Sequence, residues 1–191
     1  MDHTHSRVTR RRAEARHRIM EVAIHSFAEK GIDNVSLDEI ATKVDLARAT
    51  LYSHFESKEA LVYEILAPVL TKAAAETSKL VLIENDHSIE ILLKFFYLLW
   101  KEYRDNLRLI YRLKKNELGR LDVIHEEFLK NIIQIFEKES TKGSLRFENP
   151  SLAALVTYRI AVPLLESFDG MPNQEELFIT TIKGAIIKEE S

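Results

Sequence analysis

Residues 48–54 read Arg-Ala-Thr-Leu-Tyr-Ser-His, side-chain types that suit contact with nucleic acid. Leu51 and Phe55 form an i, i+4 pair that a short helix turns inward. Arg48, Ala49, Thr50, Tyr52, Ser53 and His54 are then left for its surface and margins. A helix entering a major groove needs such a face, with a long basic side chain near its start for base edges and hydroxyls and cations for phosphates. Spacing alone equally allows a solvated helix in an ordinary bundle. Other chemistry is poorly represented. There is no cysteine, hence no disulfide, thiolate metal site or catalytic thiol. The glycines at 31, 119, 143, 170 and 184 are isolated, so no phosphate-cradling loop exists. His125-Glu126 opens a zinc-protease pattern, but Leu129 stands where the second histidine belongs, and no Gly-x-Ser-x-Gly elbow occurs. His3 and His5, in a terminal stretch, read as incidental, and His87 and His125 as surface or core-edge residues. Catalysis is not expected, nor is a cofactor or a metal.

The elements that must position the 48–54 segment follow from apolar spacing. Leu37, Ile40, Ala41 and Val44 line one face of a helix that Ser36 can cap, with Glu39 completing a capping box. The pattern breaks at Asp45-Leu46-Ala47 and resumes with Leu51 and Phe55. Ser57 can cap the next helix, which carries Leu61 and Ile65. Two short helices joined by a tight turn suggest a helix-turn-helix. Upstream, Ile19, Val22, Ala23 and Phe27 share a helical face over about 10–30, closed by Gly31, and residues 1–9 read as a mobile tail.

The residues Ile40-Ala41, the run from Leu46 to Phe55 and the close Ser57-Lys58-Glu59-Ala60-Leu61 resemble the DNA-binding signature of the tetracycline-repressor (TetR) family. That signature has an Ile-Ala pair, an Ala-Gly-Val-Ser turn, a Leu-Tyr-x-(His/Tyr)-Phe run and a Ser-Lys-Glu-x-Leu close. The chain departs from it at Asp45, Ala47 and Ala49, where Gly, Ser and Gly are frequent. Asp tolerates a left-handed turn conformation, whereas Ala47 forfeits a cap or phosphate contact. The resemblance covers about residues 19–61 and implies DNA contacts from Ser36, Arg48, Ala49, Thr50, Tyr52, Ser53, His54 and Lys58. Arg48 reaches for base edges, while Tyr52, His54 and Lys58 occupy positions that meet phosphates.

The chain has 191 residues, 46% hydrophobic and 30% charged, with five Gly and four Pro, a composition that favours helices over a turn-rich β fold. Net charge is −3, yet residues 1–30 carry seven basic and four acidic residues, a net of +3, where an arm would meet phosphates. The acidic excess lies in the remainder. The charged N-terminus lacks the apolar core of a secretory signal, and the apolar stretch 91–100 is broken by Lys94 and too short to span a membrane. A cytoplasmic protein with no membrane partner is expected.

Beyond residue 57 the helices continue. One runs from Lys58 past Leu61, Ile65 and Val69, with Pro68 either bending or ending it. After a loop at 84–87, residues 88–103 are apolar almost all round. Further helices are expected around Leu107–Leu118 up to Gly119, from Ile124 to Phe136, from Asn149-Pro150 to Asp169-Gly170 with Pro163 interrupting, and after Asn173, which with Glu176 resembles a capping box. The sum is an all-α chain of about nine helices. Residues 1–56 are read as an arm and DNA-binding domain, and 57–191 as a connector with a ligand-binding and dimerisation bundle. The aromatic series Phe95, Phe96, Tyr97, Trp100, Tyr103 and Tyr111 suits either plain core packing or a cavity for a mostly apolar ligand. The resemblance implies the latter, with Phe96, Trp100, Tyr103, Tyr111 and Phe128 as candidate ligand contacts. It also implies a homodimer through the last two helices, about 150–167 and 174–188, whose apolar positions, Ile182 and Ile186 among them, exceed what one monomer needs to cover. The expected function is a ligand-responsive regulator, a repressor released from a double-stranded operator by a small-molecule effector. The alternative is a DNA-binding protein whose bundle only dimerises.

Overall fold

The computed structural model describes residues 3–83, 87–113 and 119–188, positions 3–6 and 8 by their backbone alone. Among these residues the fold is all-α. Its helices are α1 (His3–Lys30), α2 (Leu37–Lys43), α3 (Arg48–His54), α4 (Lys58–Leu82), α5 (Ser88–Arg112), α6 (Asp122–Ser140), α7 (Pro150–Ser167) and α8 (Gln174–Ile186). A 3-10 turn at Gly119–Leu121 precedes α6. The expected helix after Leu107 stops at Arg112, and its remainder at 114–118, like the loop at 84–86, lies outside the described residues. α5 also contains a break at Tyr103 (φ −130°, ψ 39°), so the two helices expected on either side of residue 103 are the halves of one bent helix.

Local chemistry sets most boundaries. Ser36 Oγ accepts from Glu39 N at 3.1 Å, Ser57 Oγ from Ala60 N at 3.1 Å, and Asn149 Oδ1 from Leu152 N at 3.2 Å. The capping box at Ser36 is only half formed, because the Glu39 carboxylate turns instead to Lys30 at 2.7 Å and Lys43 at 3.3 Å. At α8, Asn173 sits in the left-handed region (φ 59°) and its side chain caps nothing, which corrects the capping-box expectation there. The N-terminal helix starts well before residue 10, so the expected tail is helical from His3.

Both interior prolines are overridden. α4 runs through Pro68 and α7 through Pro163. A proline removes one ladder bond at a cost of roughly 3 kcal/mol. Around Pro68, Leu66, Val69 and Leu70 are almost wholly buried and offset that loss, at about 1.5–3 kcal/mol each.

Two hydrophobic cores share the molecule. The first joins Ile19, Ala23 and Phe27 of α1 with Ile40, Leu51, Phe55 and the α4 residues up to Leu70, and is closed by Leu109 and Ile110 of α5. The second gathers Ala73 and Ala74 of α4 with α5, α6, α7 and α8 around Trp100, Phe136 and Phe178. A buried polar knot ties α4 to α6. In it Asn131 Nδ2 donates to Ala74 O at 3.0 Å and to Thr77 Oγ1 at 3.2 Å. Ile182 and Ile186 of α8 are fully buried in this second core, so they face their own protomer and not a partner. The large apolar side chains left exposed on the last two helices are Leu152, Leu155 and Leu177.

The turn between α2 and α3 is a Schellman motif. Leu46 N donates to Ala41 O at 2.9 Å and Asp45 N to Thr42 O at 3.2 Å, with Asp45 left-handed at φ 55°. Asp45→Gly removes the strain of a side chain there and should raise stability by about 0.5–1 kcal/mol, whereas Asp45→Val should lower it by about 1–2 kcal/mol. Urea unfolding of the three proteins checks both signs.

Candidate nucleic-acid interface and cavity

α3 has seven residues, too few to persist alone. Burial of Leu51 and Phe55 fixes its inner face. Its C-terminal end is held from α1. Arg12 Nη2 donates to Ser53 O at 3.1 Å, and Arg16 donates to His54 O while its other nitrogen pairs with Glu64 of α4. The Arg16 guanidinium also lies 4.4 Å from the centre of the Phe55 ring. Two cations at a helix C-terminus complement its dipole. Sequence reasoning missed this role for Arg12 and Arg16, assigning the basic arm to phosphates. Their i, i+4 spacing, which puts both on one face of α1, was the available signal.

The outer face of α3 exposes Arg48, Ala49, Thr50, Tyr52 and Ser53 on one side of the molecule, with Ser36 exposed at the start of α2. Arg48 Nη1 lies 3.1 Å from Asp38 Oδ2, and its guanidinium is 5.5 Å from the Tyr52 ring centre. Ser53 Oγ donates to Thr50 O at 2.7 Å, so its lone pairs face outward and its proton does not. Ala47 occupies the N-cap position of α3 and offers no side-chain bond, as its type dictates.

Two of the candidate residues turn inward. Lys58 Nζ donates to Ile32 O at 2.8 Å and Val35 O at 3.2 Å, which makes it a strut between α4 and the segment joining α1 to α2, in contrast to the phosphate role expected of it. His54 is half-buried and its Nδ1 meets no partner among the described residues. Burial first, then the charges of Arg12 and Arg16, hold its pKa below the usual value for histidine. The surroundings are also less basic than the arm suggests. Residues 31–60 contain Asp33, Asp38, Glu39, Asp45, Glu56 and Glu59 against Lys43, Arg48 and Lys58, so part of the acidic excess lies in the helix-turn-helix itself.

In the second half of the molecule a narrow apolar cavity of about 50 Å³ lies between α4, α5, α6 and α7. Its wall includes Phe96, Tyr111 and Phe128 among the five candidates, together with Tyr158 of α7, which the sequence analysis did not single out. Phe128 meets both Phe96 and Tyr158 edge-on, with ring centres 6.2 and 5.9 Å away. The Tyr158 hydroxyl lies 2.7 Å from His125 Nε2, and burial pushes its pKa up to about 12. Trp100 and Tyr103 are not in that wall. Trp100 is fully buried beneath the guanidiniums of Arg104 and Arg108, each 5.4 Å from its ring. Tyr103, at the break in α5, stacks 4.9 Å from Lys72. Among the described residues no cluster of three or more metal-ligating side chains occurs, and no helix is long and apolar enough to cross a membrane.

A short helix presenting an arginine, hydroxyls and a tyrosine, set by a tight turn against a second helix, defines a helix-turn-helix regulator built on an all-α frame. Residues 19–65 match the family described as bacterial regulatory proteins, tetR family. Over 170 residues the chain is 23% identical to the biofilm operon icaADBC HTH-type negative transcriptional regulator IcaR of Staphylococcus aureus, covering 84% of this chain and 91% of that protein. Its fold is similar to that of the ketosteroid transcriptional regulator KstR2 of Mycobacterium tuberculosis, with a TM-score of 0.74, 20% identity and coverage of 94% and 96%. It also resembles AibR, solved in complex with isovaleryl coenzyme A and operator DNA, with a TM-score of 0.72, 18% identity and coverage of 89% and 97%. Residues 19–65 therefore carry the DNA-binding segment of the tetR family, and over most of its length the chain is similar to regulators of that kind.

Two outcomes test the inward-facing residues. Lys58→Met should destabilise the protein by about 1–3 kcal/mol, because it leaves two carbonyls without their charged donor. It should leave the salt dependence of DNA binding unchanged, whereas a lost phosphate contact would flatten the slope by roughly one unit. The pKa of His54 is lower in the folded than in the unfolded chain, so protons bind the unfolded chain preferentially. Its contribution to stability is therefore intact above about pH 6.5 and is lost as pH falls below that value. His54→Gln should flatten the decline of stability as pH falls below about 6.5, as measured by urea unfolding at a series of pH values.

Proposed function

We propose that the chain is a homodimeric, ligand-responsive repressor, whose α3 enters the major groove of an operator and whose effector enters among α4, α5, α6 and α7. The observation that carries this reading is the double attachment of α5. Its first half lines the cavity with Phe96 and Leu99, and its second half lines it with Leu107, Ile110 and Tyr111. That second half also grips the DNA-binding part. Asp105 Oδ2 lies 3.2 Å from His25 Nδ1, Arg112 donates to Ala28 O, and Asn106 Nδ2 donates to Ile65 O at 3.0 Å. A cavity of about 50 Å³ is far below the several hundred Å³ of an ordinary ligand pocket, so an effector must open it. Opening displaces α4 and the second half of α5, and with them α1, Arg16 and α3. Two recognition helices must sit about 34–36 Å apart to occupy successive grooves, so a ligand favouring another spacing lowers operator affinity by linkage. Moving a mostly bound population to a mostly free one takes roughly 5.5 kcal/mol of differential affinity.

Two similar proteins support this reading: IcaR is a negative regulator, and AibR is solved with both isovaleryl coenzyme A and operator DNA. The small cavity also favours a second reading, in which the bundle only dimerises and the apolar space is packing slack. A panel of apolar and aromatic compounds separates the two. On the first reading some members raise the melting temperature, change Trp100 fluorescence and release a footprinted operator. A panel-wide absence of all three effects favours the second. Dimerisation is tested at the exposed residues. The double variant Leu152→Glu, Leu155→Glu should sediment as a folded monomer and lose operator protection, and an unaltered dimer would remove α7 from the interface.

A further inference from the structure

Arg48, the longest side chain on the outer face of α3, is already held. Its Nη1 lies 3.1 Å from Asp38 Oδ2, and its guanidinium lies 5.5 Å from the Tyr52 ring. Asp38 is the second residue of α2, and its side chain is 50% exposed while that of Arg48 is 69% exposed. So exposed a pair contributes little to fold stability. A carboxylate on a surface that approaches phosphates also repels them. As an acid in the first turn of α2, Asp38 complements that helix's dipole, but this role needs no partner and does not account for its pairing with Arg48.

We propose that Asp38 is a specificity-determining residue, which accepts one edge of the Arg48 guanidinium and aims the remaining edge at O6 and N7 of a guanine. The inference rests on the reading that α3 enters the major groove. A guanidinium has five N–H donors in a rigid fork. Asp38 engages one of them and the Tyr52 ring restrains the group, which leaves in-plane donors free for a base edge. Guanine offers two acceptors in the major groove, whereas adenine replaces one of them with the N6 donor. An aimed fork loses less rotamer freedom on binding guanine and cannot swing to a neighbouring phosphate. When no guanine is present, Arg48 stays paired with Asp38, and the pair presents no net positive charge to the duplex. Selectivity is a difference of affinities, and this arrangement lowers the affinity for the wrong sequence as well as raising that for the right one.

The test is selection of random-sequence duplexes by the full-length protein and by D38N, D38A, R48A and D38A/R48A, followed by sequencing and by titration of the best and a scrambled duplex. Melting curves report whether each variant is folded, and D38N, which keeps the side-chain shape, decides the matter if D38A is not. The wild type should enrich one guanine per half-site. D38N and D38A should each lose preference for it by roughly 5- to 150-fold while binding the scrambled duplex as well as or better than the wild type. The double variant should discriminate no worse than R48A. Retained guanine preference in D38N, or an equal change for both duplexes, overturns the inference and leaves the DNA-binding reading standing. A wild-type motif lacking any guanine that depends on Arg48 does the same. Enrichment of no motif by the wild type overturns both.

Discussion

A helix of seven residues does not hold its shape in water, and α3 is such a helix. Its form is imposed from outside, by Leu51 and Phe55 sunk in the first core and by guanidiniums from α1 at its last carbonyls. Arg16 is the shared member, because it also pairs with Glu64 of α4. The orientation of the exposed face is therefore a property of α1 and α4 as much as of α3. Any displacement of α4 reaches α3 directly through that bracket.

The same dependence explains why the first core is not sealed by its own residues. Leu109 and Ile110 of α5 complete it, while Phe96, Leu99 and Trp100 of the same helix belong to the second core. α5 changes direction between these tasks, at Tyr103. Beside it on α4, Lys72 reaches Tyr103 and Ile65 O receives Asn106, on either side of Pro68 and its missing ladder bond. Both helices that cross from one core to the other thus carry a weakened backbone at the crossing. Packed cores transmit displacement as rigid bodies, and hinges placed at such weak points let each core keep its packing while their relation changes.

What was legible in the sequence was local. Ser36, Ser57 and Asn149 cap helices because each is followed, within the same turn, by the amide it satisfies. Asp45 could be assigned to a left-handed turn because its side chain tolerates that conformation. Leu51 and Phe55 announced their inward face by spacing. Apart from the cap expected at Asn173 and the tail expected before residue 10, the failures involve partners distant in the chain. Nothing near Lys58 indicates that Ile32 and Val35 will offer it carbonyls, so it read as a surface cation. Ile182 and Ile186 showed an apolar stripe, and a stripe does not say whether its cover comes from the same chain or another. Pro68 and Pro163 read as possible breaks because the burial that overrides them is tertiary. Tyr158 escaped notice because the cavity wall is assembled from four helices, and only one of them carries the conspicuous aromatic run.

Charge placement completes the account of how a chain of net charge −3 can meet a polyanion. The screening length at physiological salt is about 8 Å. α4, with 25 residues, is roughly 37 Å long, so acids near its far end lie several screening lengths from α3. Only the near charges act, and these are mixed. Glu39 is neutralised by Lys30 and Lys43, and the hydrogen bond from Lys30 is the main reason its pKa falls below the usual carboxylate value. Arg12 and Arg16 are partly spent on α3 carbonyls. On the proposed reading, the exposed α1 cations Arg7, Arg10, Arg11 and Arg18 would supply the sequence-independent attraction, with Arg10 sharing its charge with Glu14. With attraction lodged in α1, the α2–α3 surface need not be uniformly basic. It can hold the Asp38 carboxylate beside Arg48, and an attraction that is modest overall leaves discrimination between sequences to the few groups that reach the bases.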